Sequence, residues 1–238
     1  MVFFFGINFA IFTKPMGKNK LKRFEEIKTF EKVFQPVIDF HSPDHELKGK
    51  WNEKVFFNDH PIVLELGCGR GEYTIGMAQK YPEKNFIGID IKGARLWRGA
   101  KTAHENNIPN AAFLRIRIEL IEKFFAENEI SEIWLTFPDP QLRESKENKR
   151  LSSPHFLEKY KRMFGKKGLL HLKTDSKELF DFTSDILKNE KGILKLFTNN
   201  LYDSKTVYVD LLIQTTYEKI FLKAGKTICY LCYEFEKL

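Results

Sequence analysis

The stretch IVLELGCGRGEY, Ile62 to Tyr73, constrains the fold of this chain more than any other. A short apolar run ends directly in glycines at 67, 69 and 71. Apolar runs bounded by turn residues read as buried strands. Glycine lets the backbone turn sharply and come close to a ligand. A helix-like segment, Tyr73–Lys80, follows. The first amides of such a helix are free to meet polar ligand groups. A second apolar run, FIGID, then ends in Asp90. A carboxylate about 20 residues beyond a glycine turn can accept both hydroxyls of a ribose.

The rest of the chain repeats this alternation. Candidate strands are Ile62–Leu66, Asn85–Ile91, Ala112–Ile116, Glu132–Phe137, Gly168–Lys173, Leu194–Thr198 and Thr227–Phe235. Helix-like segments are Tyr73–Lys80, Gly93–Asn106, Ile118–Asn128, Pro154–Met163 and Asp175–Lys188, the last capped by Asp175 or Ser176. The pattern predicts an α/β fold, Rossmann-like, with a mostly parallel seven-stranded sheet and helices on both faces. The last two strands lie close in sequence, apart from a polar insertion, Asn199–Lys223. They predict a hairpin-like pair with an antiparallel last strand.

The glycine spacing narrows the ligand. Dinucleotide-binding turns read G-x-G-x-x-G, whereas this one reads G-x-G-x-G with Glu65 just ahead of it. A carboxylate so placed repels a pyrophosphate. It suits a cationic ligand carrying an ammonium and a sulfonium, which favours S-adenosylmethionine over NAD. No G-x-x-x-x-G-K-[ST] occurs, which excludes a P-loop nucleotidase at the motif level.

A second constellation lies in IWLTFPDPQLRESKENKRLSSPHFL, Ile133 to Leu157. Proline gives no amide hydrogen to a sheet, so Pro138 and Pro140 end the strand. Asp139 is held between them at the strand's C-terminal edge, where open α/β sheets bind ligands. Arg143, Lys146, Lys149 and Arg150 follow. A stiff carboxylate beside a basic loop points to chemistry on an anionic substrate.

Charge agrees with that reading. The 238 residues carry 39 Lys and Arg against 32 Asp and Glu, a net +7. The basic residues cluster in Lys14–Lys32, Lys92–Lys101, Arg143–Arg150 and Lys159–Lys167. Clustered positive charge neutralises phosphates and releases counterions, which fits a nucleic acid. Cys229 and Cys232 form a CxxC, but a structural zinc site needs four ligands and no second pair exists. Residues three apart on a strand point to opposite faces, so these thiols are expected to diverge. Reduced cysteines fit a cytoplasmic location.

The N-terminus begins with an apolar run, Val2 to Phe12, which is shorter than the roughly 20 residues of a membrane span. It lacks the charged start of a signal peptide. Met16 opens a basic sequence, MGKNKLKRFEEI, and is expected to be the natural start, with residues 1–15 a non-native extension. Residues 16–55 then form a basic arm with aromatic anchors Phe24, Phe30, Phe34 and Phe40, and residues 56–238 the main domain.

With these motifs in hand, VLELGCGRGEY and FIGIDIKGARLWRGA resemble the cofactor motifs of class I methyltransferases. FPDP, KRLSSPHFL, HLKTDSKELF and TTYEKIFLKAG, in that order, resemble segments of the bacterial tRNA (guanine-N7-)-methyltransferase family. The resemblance spans about Met16 to Phe235. It implies S-adenosylmethionine-dependent methylation of guanine N7 at the variable-loop position 46 of tRNA. It implies Asp139 as the central catalytic residue. Cofactor contacts fall on Glu65, Gly67, Gly69, Asp90, Arg117 and Asp139. Substrate contacts fall on Arg143, Asp175, Thr215, Thr216, Tyr217 and Glu218. Lys18, Lys20, Lys22 and Arg23 would track tRNA phosphates from an arm that orders on binding.

The chain also departs from that family. Gln141-Leu142 replaces the usual Trp-Pro, Arg143-Glu144 the usual basic pair, and Lys146 the usual histidine. Arg117 stands where the family places an acid near the adenine, with Glu119 close by. Two alternatives remain open: a methyltransferase acting on a protein or small molecule, and a catalytically silent RNA-binding subunit. Neither membrane nor metal is expected as a partner, and monomer and homodimer both stand.

Overall fold

The computed structural model describes residues 16–203 and 209–236. The proposed extension 1–15 and the side chains of Lys18 and Lys20 lie outside the described residues. Among the described residues eight strands form one sheet: β1 Val33–Phe34, β2 Ile62–Leu66, β3 Asn85–Ile89, β4 Ala111–Leu114, β5 Ile130–Thr136, β6 Phe164–Thr174, β7 Gly192–Thr198 and β8 Cys229–Glu236. Six α-helices accompany them among the described residues: α1 Met16–Glu26, α2 Glu72–Lys80, α3 Gly93–Glu105, α4 Pro154–Met163, α5 Lys177–Leu187 and α6 Thr216–Lys223. The strand order is β1-β4-β3-β2-β5-β6-β8-β7. Every pairing from β1 to β6 is parallel, while β8 runs antiparallel between β6 and β7.

This is the expected Rossmann-like architecture with its antiparallel last strand. The eighth strand is the two-residue β1, which pairs Val33 with Phe113 and Phe34 with Leu114. Its brevity leaves no alternation to read in the sequence. Both faces of the sheet are covered. Along β2, Ile62, Leu64 and Leu66 belong to one core and Val63 to the other. The period of two also separates Cys229 and Cys232 into opposite cores, the predicted divergence.

The expected helix over Ile118–Asn128 is a correction. Only a short 3-10 segment forms, Ile118–Lys123. Glu129 ends it by accepting the amide of Ala126 at 2.7 Å. The same carboxylate holds Gly49 N–H at 2.9 Å, so it serves two loops at once. Likewise, the polar insertion is not featureless, because it contains α6. Thr215 caps that helix by accepting the amide of Glu218 at 3.2 Å. The signature T-x-x-E was present in the sequence as a helix-start signal.

Within the described residues, the end of the basic arm packs against the domain. Glu26 receives Trp97 Nε1 at 2.9 Å and Lys101 Nζ at 2.6 Å, which docks the end of α1 on α3. Arg23 lies over the Trp97 ring at 4.6 Å. Phe30 is buried, Phe34 packs edge-on against Trp51, and Phe40 is exposed.

Candidate active site

A cavity of about 1320 Å³ opens at the C-terminal ends of β2 to β6. Each strand delivers a named group to it. Beyond β2 come Gly67 and Gly69, beyond β3 Asp90, beyond β4 Arg117 and Glu119, beyond β5 Asp139, and beyond β6 Asp175. Usual small-molecule sites occupy about 300–1,000 Å³, so this one has space for a second reactant beside a cofactor.

The glycine turn is fixed by the neighbouring strand. Gly67 and Cys68 both donate to the carbonyl of Ile89, at 2.8 and 3.0 Å. Gly69 donates to Asp90 Oδ2 at 2.9 Å, and Lys92 N–H donates to Oδ1 at 2.7 Å. A Cβ on Gly67 would meet nothing nearer than Leu151 Cδ1 at 3.9 Å, so that glycine face is open to the cavity. Gly71 serves packing instead. It adopts φ +67°, and a Cβ there would lie 2.5 Å from the Phe113 ring.

Glu65 forms the cavity floor and is 5% exposed. Its Oε2 accepts the amide of Thr74 at 2.8 Å, in the first turn of α2, and also the Thr74 hydroxyl. Thr136 Oγ1 donates to Oε1. Burial raises its pKa to about 7, although the two threonines favour the ionised form. A cation placed beside this carboxylate would favour its ionised form. Two buried acids, open glycine backbone and apolar Ile91 and Ile116 in one cavity fit S-adenosylmethionine.

Asp139 is exposed on the cavity wall. Its Oδ1 accepts the amide of Gln141 at 3.1 Å. Phe137 at φ 49° and Gln141 at φ 45° flank the Pro-Asp-Pro turn in the left-handed region. Such a conformation costs a bulky residue about 1–3 kcal/mol and persists only where surrounding structure imposes it. Here Phe137 N–H is tied to the Lys173 carbonyl at 2.8 Å.

The other site expectations divide. Arg117 reaches the rim, paired to Glu119 at 3.2 Å, so the acid and the substituted base share one place. Asp175, Thr215 and Tyr217 line the cavity, and Asp175 holds Lys226 at 2.5 Å. Tyr217 is 44% exposed. Arg143, Thr216 and Glu218 are not brought to the wall. Arg143 is exposed on the loop outside it. Thr216 is occupied by Glu72, which accepts its amide at 2.6 Å and its hydroxyl at 2.5 Å. Glu218 is fully buried against Lys173. His171, a strand residue as expected, is buried and stacked on Trp134 with 3.7 Å between ring centroids.

Exposed Arg70, Lys92, Arg95, Lys149 and Lys226 ring the acidic interior. Among the described residues no helix is long and apolar enough to cross a membrane, and no group of three His, Cys, Asp or Glu could hold a metal.

This sheet order, glycine turn and pair of strand-end carboxylates define a Rossmann-like methyltransferase fold. A family model described as "Putative methyltransferase" matches residues 59–231. The chain belongs to the tRNA (guanine-N(7)-)-methyltransferase family. It is 49% identical to the tRNA (guanine-N(7)-)-methyltransferase of Christiangramia forsetii, over 92% of this chain and 99% of that protein. It is 33% identical to the protein of the same name from Listeria monocytogenes, over 94% and 97%. Among solved structures, the 16S rRNA methyltransferase KamB shares the fold at a TM-score of 0.61 and 13% identity, covering 81% of this chain and 96% of that one.

Proposed function

We propose that this protein transfers the methyl group of S-adenosylmethionine to N7 of a guanine in the tRNA variable loop. The carrying observation is one cavity that joins Asp139 to Glu65 and Asp90 and exceeds the volume of a single small ligand. The names of the relatives supply the substrate. Glu65 and Asp90, with the Gly67 and Gly69 backbone, hold the cofactor. When bound, it supplies a methyl group already activated by a sulfonium.

The protein's own residues then align the reactants. N7 of guanine carries a lone pair at neutral pH, so no residue need remove a proton. Alignment is the main contribution, and effective molarity gained by alignment is worth up to about 7–11 kcal/mol. Asp139 accepts the N1–H and amino edge of the base and stabilises the positive charge that grows on methylation. Asp175, Thr215 and Tyr217 flank the base, and the rim cations with Arg143 meet the phosphates. Such work belongs in the cytoplasm, where tRNA is found.

Purified protein, labelled S-adenosylmethionine and unmodified tRNA test the reading. The expected product is 7-methylguanosine in the variable loop, identified by nucleoside mass spectrometry. Label that goes to no RNA would defeat it.

A further inference from the structure

We propose that Arg150 is a positioning residue for the Asp139 turn and not a phosphate contact. The inference rests on the methyl-transfer reading of this cavity. Arg150 closes a run of basic residues, Arg143, Lys146 and Lys149, and by sequence alone belongs with them. Its surroundings set it apart. Arg143 and Lys149 are exposed, whereas the Arg150 side chain is 3% exposed.

Its guanidinium is consumed by the protein. Nε donates to the Pro140 carbonyl at 3.1 Å and Nη2 to the Gln141 carbonyl at 3.3 Å. Nη2 also donates to Glu178 at 2.8 Å, and Nη1 to Glu147 at 3.2 Å. One face of the group lies over the Phe182 ring at 4.3 Å. Little of it is left for a phosphate.

The two carbonyls belong to the residues that follow Asp139. Gln141 passes the constraint back, because its N–H donates to Asp139 Oδ1 at 3.1 Å. Pro138 and Pro140 stiffen the turn but have no N–H with which to tie it down. Arg150 supplies that tie. Its two carboxylate partners hold the fork in the orientation that reaches both carbonyls, a geometry the point charge of lysine does not reproduce.

The experiment compares Arg150→Met and Arg150→Lys with Lys149→Met, using full-length protein and unmodified tRNA across a salt series. A reacting group misplaced by about 1 Å costs about 100-fold, so Arg150→Met is expected to lose about that much kcat. Its affinities for tRNA and cofactor stay within about twofold, and the salt slope is unchanged. Arg150→Lys recovers only a minor part. Lys149→Met shows the opposite signature, with weaker tRNA binding and a salt slope reduced by about one.

Arg150→Met that behaves like Lys149→Met, with kcat within about threefold of wild type, overturns the proposal. If Arg150→Met does not fold, Glu178→Gln decides. Glu178 is half-exposed, and loss of its charge is expected to lower kcat several-fold at constant tRNA affinity. An unaltered kcat in that variant overturns the proposal. A wild-type protein that methylates no RNA would defeat the underlying reading instead. Hydrogen exchange at the Gln141 amide then still tests the tie. Exchange about tenfold faster in Arg150→Lys supports it, and unchanged exchange overturns it.

Discussion

Lys173 Nζ lies 2.8 Å from the Glu218 carboxylate, and neither side chain is exposed to solvent. Lys173 also donates to the Leu211 carbonyl at 2.6 Å, and Tyr202 donates its hydroxyl to Glu218 at 2.8 Å. Burial pulls the lysine pKa down and Glu218 opposes that pull. The pair joins the end of β6 to the start of α6, so HLKTD and TTYEKIF meet in the interior. Their outward neighbours, Asp175, Thr215 and Tyr217, are thereby presented to the cavity.

Breaking this pair is predicted to damage stability first. Lys173→Met leaves an uncompensated buried carboxylate, which costs about 3–5 kcal/mol. At roughly 2–4 °C per kcal/mol for a chain of this size, Tm should fall by about 6–20 °C. The double variant Lys173→Met/Glu218→Leu should recover much of that loss. Thermal unfolding of the three proteins checks it, and a double variant no better than the single would contradict the assignment.

Asp139 should separate chemistry from binding. Asp139→Ala is predicted to lower single-turnover methyl transfer by at least about 100-fold, the scale of losing one transition-state partner. Cofactor affinity, measured by calorimetry, should change little, because Glu65 and Asp90 remain. Near-normal turnover would remove Asp139 from the centre of the reaction.

Glu65 gives the site a pH dependence. Its pKa is raised to about 7 by burial, above its ordinary 4.5. Between those values the folded state holds the proton that the unfolded chain releases, so this group's contribution to stability falls as pH rises towards 7 and then levels off. A cationic cofactor favours the carboxylate, so its binding releases the proton. Affinity should rise by up to about tenfold per pH unit below 7 and flatten above it. Thr136→Val removes one donor to Glu65 and should move the midpoint upward. Calorimetric titrations at several pH values check both, and a flat profile would exclude the linkage.

His171 and Glu132 give stability a second pH window. Burial works against the charged imidazole, yet the neighbouring Cys232 sulfur and Glu132 carboxylate hold its pKa up, at about 9. Burial also opposes ionised Glu132, but His171 and Lys84 override it and depress its pKa to about 2. The histidine's contribution is complete below its unfolded value near 6.5 and disappears as pH rises through about 9. That of Glu132 is complete above 4.5 and disappears as pH falls through about 2. Together they are fully present only between about 4.5 and 6.5. In His171→Phe the alkaline loss should vanish from denaturation curves; its persistence would argue against the pairing.

Local signals carried most of the fold. Ile62–Leu66, the glycine turn and Asn85–Ile89 lie where an apolar run meets turn residues, and Asp90 and Asp139 follow from their strand ends. What escaped was decided across long separations. Arg150 is a loop cation in sequence, and only folding places it beneath Pro140 and Gln141. Thr136 has no mark of its own as the partner of Glu65, because that contact spans β2 and β5. Glu218 carries the same letter whether it faces a guanine or a buried lysine.

The antiparallel insertion of β8 has a kinetic meaning. Among the described residues β7 pairs with β8, which lies between β6 and β7 and follows a long connection from β7. Pairings of such separation form slowly, because loop closure is unfavourable until they are made. During that interval β7 presents Ile193, Leu194 and Phe197, still 48%, 47% and 42% exposed in the finished fold, beside unpaired backbone. An apolar strand with a free edge is a template for another chain. Until β8 pairs with it, β7 therefore has two edges open to misassembly, and afterwards one.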